Sequence, residues 1–188
     1  LMWGSISAVI YILVLRIGYR KFLDLSGPLF LLMIFLFVVL LVVGYTTKGA
    51  QSWFNLGIMR FQPTETGKVI LALILAQVCS KMPPADIKGI SAAMGIAGIM
   101  IALILMQPDL GSSLVYSVML FAVLTAAGAP VKFLSGIVAS MFLMLPAAWM
   151  FLKPYQKMRL MVFLDPTIDP QGAGYNVIQS RIAVGSGG

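Results

Sequence analysis

The chain has 188 residues, of which 60% are hydrophobic and 10% charged, with 13 Lys/Arg against 6 Asp/Glu and a net charge of +7. Soluble domains carry about 25% charged residues, so a soluble globule, a disordered tail and a disulfide scaffold are excluded. Having no His and one Cys, the chain cannot build a Ser-His-Asp triad, a Cys-His dyad, a His- or Cys-rich metal centre or an intrachain disulfide.

What fits is a polytopic membrane protein, and the gaps between charges mark its spans. Uncharged runs cover Leu1–Leu15, Leu25–Thr47, Gly89–Pro108, Leu110–Val131 and Phe133–Leu152. A membrane helix needs about 20 mostly apolar residues, so each run reads as a span, the first cut short. Gln62–Ser80 also fits, although Glu65 and Lys68 fall in its first turns. The spacing thus predicts six helical spans, at about 1–15, 25–47, 62–80, 89–108, 110–131 and 133–152. Strands are not expected, because the runs are long and lack period-two alternation.

Connectors Arg16–Asp24, Lys81–Lys88 and Gly128–Lys132 fall on one side. Lys48–Phe61, Gln107–Gly111 and Lys153–Gly188 fall on the other. The first side packs its Lys/Arg into short loops, which are the loops that orient a membrane protein. That side is therefore expected in the cytoplasm, with 153–188 outside as a loop. No charged leader segment precedes the first run, and the closing Gly185-Ser186-Gly187-Gly188 reads as a glycine-rich loop. Both ends read as cut from a larger protein.

Two Gln-Pro motifs carry the polar chemistry. In Arg60-Phe61-Gln62-Pro63-Thr64-Glu65-Thr66-Gly67-Lys68, Pro63 suits the first helical position and Glu65 the positive end of the helix. Glu65 and Lys68 stand i,i+3 in the favourable acid-first order. They read either as a self-neutralised helix entrance or, with Arg60, as the lining of a polar cavity for an anionic headgroup. In Gln107-Pro108-Asp109-Leu110-Gly111-Ser112-Ser113, Pro108 again opens a helix and Asp109 falls in its first turn. Both motifs sit on the outer side, so Glu65 and Asp109 are expected either to approach each other or to cap two helices independently.

Beyond the last span, Lys153, Tyr155, Lys157 and Arg159 form a basic and aromatic cluster suited to phosphate oxygens or to lipid headgroups. Asp165-Pro166 and Asp169-Pro170 read as turn initiators. Ser91/Gly95 and Ala93/Ala97 are small-residue pairs suited to close helix packing, Pro146 is a candidate kink, and Cys79 reads as packing. No phosphate-binding glycine loop is present, and the charges are too sparse for a nucleic-acid stripe, so no nucleic-acid partner is expected.

These motifs resemble a known family. Lys48-Gly49-Ala50-Gln51-Ser52-Trp53-Phe54 followed by Arg60–Lys68 is similar to its G-A-x-x-W…F-Q-P-S-E-x-x-K signature, and Gln107–Gly111 to its Q-P-D-L-G-T turn. Lys153-Pro154-Tyr155-Gln156, Phe163–Pro166, Gly174–Ser180 and Gly185–Gly188 resemble its large extracellular loop. The family is SEDS (RodA/FtsW/SpoVE), and the match looks closer to its RodA branch. Thr64 stands where Ser is usual, and Ser112 where Thr is usual.

The resemblance implies an all-α membrane protein holding six helices, the second to seventh, of a ten-helix bundle in the bacterial cytoplasmic membrane. It implies a peptidoglycan glycosyltransferase polymerising lipid II, serving cell shape and division, with a class B penicillin-binding protein as partner. A lipid II flippase and a membrane scaffold for that partner are the alternatives. Glu65, Lys68 and Asp109 carry over as supporting catalytic residues, because the family's principal Asp lies beyond Gly188. The truncated chain is accordingly expected to be inactive. Arg60, Gln62, Lys153, Tyr155, Lys157 and Arg159 carry over as substrate-binding residues. No resident metal is implied, and a divalent cation (Mg or Mn) is the one candidate cofactor.

Overall fold

The computed structural model describes residues 2–47, 50–55, 60–152, 154–172 and 174–187. Helices dominate: α1 (Met2–Ile17), α2 (Tyr19–Asp24), α3 (Ser26–Val43), α4 (Pro63–Lys81), α5 (Ile87–Met106), α6 (Leu110–Ala126), α7 (Val131–Phe151), α8 (Pro154–Leu164) and α9 (Tyr175–Ser186). Among the described residues, α3 and α5 are long and apolar enough to cross a membrane. The chain divides into two compact units, Leu1–Leu134 and Ser135–Gly188.

In the first unit α4 is the central helix, packing against α3, α5 and α6. Its buried residues Thr64, Gly67, Leu71, Ile74 and Leu75 recur at spacings of three and four, which places them on one helical face. On α5 the buried face is Gly89, Ala93, Ala97, Met100 and Ile104. Ala93 and Ala97 thus serve the close packing expected of them, since small side chains let helix backbones approach. Ser91 and Gly95 are exposed instead. Cys79 is buried, as a packing residue would be.

The core of this unit is mostly apolar but takes in several polar side chains, while large apolar side chains also face outward. Ser26, Thr64, Gln107 and Ser113 are buried, whereas Leu31, Phe35, Val42, Ile99 and Leu114 are exposed. Lipid-solvated helices are expected to do this, satisfying polar groups internally and turning apolar faces outward. At the end of α3 and α4 opposite the Gln-Pro motifs, the Ser26 hydroxyl donates to Gln77 Oε1 at 2.8 Å and ties the two helices together.

Four connectors differ from the sequence expectation. Residues 45–61 contain an antiparallel sheet in the order β1 (Tyr45–Thr47), β2 (Ala50–Asn55), β3 (Arg60–Phe61). Thr46 and Thr47 are β-branched and Trp53 and Phe54 aromatic, types that favour strands once the apolar helix has ended. Pairing aligns Thr46 with Gln51, Phe54 with Phe61 and Asn55 with Arg60. The fold is therefore mostly helical with a small sheet, and α3 stops at Val43 rather than Thr47.

Arg16–Asp24 contains the short helix α2. The fifth expected span ends at Ala126, because Gly128 turns into the left-handed region (φ 83°) ahead of Pro130. The fourth difference lies in 153–188, expected as a loop. It folds into α8, a 3-10 turn at Pro166–Ile168, and α9. Gly185 and Ser186 lie within α9, which ends at Gly187 in the left-handed conformation (φ 69°), the usual glycine termination of a helix. Pro146 lies inside α7, which continues through it.

Candidate active site

The first Gln-Pro motif folds as its residue types dictate. Pro63 opens α4, and Glu65 stands in the first turn. Lys68 Nζ reaches both Glu65 carboxylate oxygens at 2.8 Å. The pair sits at the surface, with the Glu65 side chain 60% and the Lys68 side chain 28% exposed. Arg60 is exposed on β3.

The second motif differs from expectation by one position. Helix α6 begins at Leu110, and Asp109 is its N-cap rather than a first-turn residue. The reason is local: the Ser112 amide donates to Asp109 Oδ1 at 3.0 Å, and the Ser112 hydroxyl donates to Oδ2 at 2.8 Å. A carboxylate at this position satisfies a helix N–H that would otherwise lack a partner.

The two helix entrances meet. Gln62 Nε2 donates to Asp109 Oδ2 at 3.3 Å, so the residue before α4 touches the cap of α6. Asp109 therefore makes its contact across the helices with Gln62, while Glu65 pairs with Lys68.

The two glutamines play different parts. Gln62 is half-buried, whereas Gln107 is fully buried and donates Nε2 to the Phe37 carbonyl of α3 at 3.2 Å. Gln107 Oε1 and Thr64 Oγ1 are buried without a hydrogen-bond partner.

Sequence reasoning missed Tyr116 and Gly67. Tyr116 is fully buried on α6, and its hydroxyl donates to the Thr64 carbonyl at 2.8 Å. A Cβ on Gly67 would collide with that hydroxyl and meet Phe37 Cζ at 3.0 Å. The Phe37 and Tyr116 rings stand 6.5 Å apart and tilted. A tyrosine inside an uncharged run was the one available signal, since a buried phenol needs a hydrogen-bond partner.

In the second unit, Tyr155, Lys157 and Arg159 lie on α8, and Lys153 falls outside the described residues. Lys157 Nζ stands 5.8 Å above the Trp149 ring, a cation–π contact. Gln156 Nε2 donates to the Tyr155 hydroxyl at 3.2 Å. Both Asp-Pro pairs form turns as expected. Asp165 accepts from the Thr167 amide at 3.0 Å and hydroxyl at 2.6 Å, and Asp169 accepts from the Gly172 amide at 3.0 Å. The Thr167 hydroxyl and amide, aided by the Arg181 charge, hold the Asp165 carboxyl below its usual range.

Among the described residues, no three Asp, Glu, Cys or His side chains gather as a metal site would require. With Glu65 bonded to Lys68, and Asp109 to Ser112 and Gln62, these residues do not by themselves fit a divalent cation.

Comparison with known proteins places the chain in a family. The FtsW/RodA/SpoVE family, described as cell cycle proteins, matches residues 1–188. The chain belongs to this family. An Escherichia coli protein named peptidoglycan glycosyltransferase MrdB is 35% identical over 98% of this chain and 50% of its own length. A probable peptidoglycan glycosyltransferase FtsW of Idiomarina loihiensis is 34% identical over 97% of this chain and 45% of its own.

Two solved structures share the fold. One belongs to a peptidoglycan synthase complex described as coordinating polymerization and crosslinking (38% identity, TM-score 0.72, covering 88% of this chain and 50% of that one). The other is the rod shape determining protein RodA of Thermus thermophilus (32% identity, TM-score 0.63, covering 72% and 46%). This FtsW/RodA/SpoVE chain spans about half the length of the curated relatives it matches.

Proposed function

We propose that the protein carrying this chain is a peptidoglycan glycosyltransferase that polymerises lipid II at the outer face of the bacterial cytoplasmic membrane. The observation that carries this reading is the meeting of the two Gln-Pro helix entrances through Gln62 and Asp109, in a chain whose relatives bear that name. In this reading six spans belong to a larger helical bundle, residues 1–152 are its membrane region, and 153–188 lie outside. A class B penicillin-binding protein is the partner that cross-links the product, in keeping with the synthase complex among the structural neighbours.

Glycosyl transfer needs a carboxylate near the attacking sugar hydroxyl and positive charge near the departing pyrophosphate. Lys68 and Arg60 supply positive charge beside the α4 entrance, and Lys153, Tyr155, Lys157 and Arg159 of the second unit are taken, independently of that entrance, as residues for phosphate or headgroup contacts. Glu65 holds Lys68 in place. Asp109, anchored by Ser112, keeps Gln62 oriented toward the substrate. The principal base is supplied from outside this half of the protein.

The test uses the purified full-length protein with labelled lipid II in detergent, where no leaflets exist and a flippase has nothing to do. Glycan chains should form with the native protein and not with Glu65→Ala or Asp109→Ala. Normal polymer from both variants would remove the site assignment. Absence of polymer from the native protein would favour transport or scaffolding.

A further inference from the structure

We infer that Tyr116 is a positioning residue that holds the first turn of α4, and with it the Glu65–Lys68 pair, in register with the Asp109 cap of α6. The role assigned to that pair rests on the glycosyltransferase reading, whereas the geometry of the clamp does not.

Helix α4 starts without help from its own N-cap, because Gln62 makes no side-chain capping bond. Its first turn therefore lacks the local device that usually fixes a helix start. The structure adds a tie of a different kind, from outside the helix and made to a carbonyl rather than to a free amide. The Tyr116 hydroxyl, fully buried, donates to the carbonyl of Thr64 at 2.8 Å.

In an α-helix the carbonyl of residue 64 also receives the amide of residue 68. The phenol thus grips the same turn from which Glu65 and Lys68 project. Gly67 makes room for it, since any Cβ there would strike the hydroxyl. From the other side, Gln62 binds Asp109 only seven residues before Tyr116 on α6. Two ties, one buried and one half-buried, therefore fix the same pair of helix ends.

Removing the hydroxyl leaves the Thr64 carbonyl with its helical partner, so Tyr116→Phe keeps the fold and loosens only the register. The experiment measures lipid II polymerisation by the full-length protein and, separately, the α4–α6 distance. Nitroxide labels at Thr66→Cys and Gly111→Cys, both exposed, report that distance in a full-length background from which Cys79 and every other native cysteine have been removed.

For Tyr116→Phe the expected result is a broadened distance distribution and a kcat lowered about fivefold at unchanged KM, the size of one ordinary hydrogen bond. Phe37→Leu trims the neighbouring ring and leaves the hydroxyl bond in place. It should keep kcat within about twofold, whereas a packing role for Tyr116 would lower both variants alike.

An unchanged distance distribution in Tyr116→Phe overturns the inference whether or not the protein polymerises lipid II. So does native kcat in that variant when Glu65→Ala is inactive, or a loss confined to KM. A native protein without polymerase activity removes the glycosyltransferase reading alone, and the spin-label distances still decide the role of Tyr116.

Discussion

Gln62 donates its side-chain amide to Asp109 at 3.3 Å, joining positions 47 apart in sequence at the entrances of two helices. The contact binds a residue outside α4 to the residue that caps α6, so neither helix start is independent of the other. Asp109 has a double task here. It closes the α6 terminus through Ser112, and it offers the same carboxylate to Gln62.

Substitution of Asp109 separates those tasks. Asn caps helices about as well as Asp, whereas Ala loses about 1 kcal/mol of cap stability. Asp109→Ala should therefore lower both thermal stability and polymerisation, and Asp109→Asn should lower polymerisation while melting close to the native protein. Thermal melts in detergent alongside lipid II assays check this. Equal activity of Asp109→Asn and native protein would confine the residue to capping.

Much of this site was legible in the sequence because local spacing encodes it. Pro63, Glu65 and Lys68 lie within two helical turns, and their order fixes their geometry before any tertiary packing occurs. The Gln62–Asp109 contact was visible only as a shared side of the membrane, because it depends on how α4 packs on α6. Tyr116 left a weak trace, since one phenol in an apolar run looks the same whether it faces lipid or a neighbouring carbonyl. The small sheet was hidden for a different reason. Its strands are short, and Gln51, Ser52 and Asn55 dilute the β-forming residues around them. In 153–188 the prolines and glycines resemble loop composition, yet Pro154 and Pro166 open helical turns, Gly187 ends α9, and Gly185 lies within it.

Gly67 and Tyr116 should behave as a coupled pair. Gly67→Ala puts a methyl group into the Tyr116 hydroxyl, and overpacking of this kind costs about 1–3 kcal/mol. Tyr116→Phe removes the colliding atom and should recover part of that loss, while the remaining approach to Phe37 prevents full recovery. A double-mutant cycle on unfolding in detergent is expected to give a non-zero interaction energy of about 0.5 kcal/mol or more. Strict additivity would mean that α4 and α6 shift apart to accept the methyl group.

The Ser26–Gln77 bond offers a test of buried polarity away from the site. Ser26 is fully buried and donates to Gln77 at 2.8 Å. Gln77→Leu strands the hydroxyl and should cost about 1–3 kcal/mol, because an unsatisfied buried donor loses its full solvation. Ser26→Ala with Gln77→Leu removes both partners and should be closer to native than Gln77→Leu alone. Thermal melts of the three variants read this order directly, and a double variant weaker than Gln77→Leu would point to a further role for Ser26.

Asp165 gives the turn between α8 and α9 a pH dependence. Its carboxyl is held below the usual range by the Thr167 hydroxyl and amide, with a smaller part from Arg181. A carboxylate whose folded pKa is depressed contributes stability above its unfolded value of about 3.9. That contribution fades as pH falls from the unfolded value through the lower folded one. The turn at Pro166–Ile168 should therefore be well formed at neutral pH and loosen below about pH 4. Thr167→Val removes the hydroxyl donor and keeps the amide, so it should move the Asp165 titration back toward the ordinary carboxylate range without abolishing the turn. Carbonyl-carbon NMR of labelled Asp across pH 2–6 measures both effects, over a range of about four units that brackets the ordinary carboxylate value. A titration unmoved by Thr167→Val would transfer the main cause from the hydroxyl to the backbone amide or the Arg181 charge.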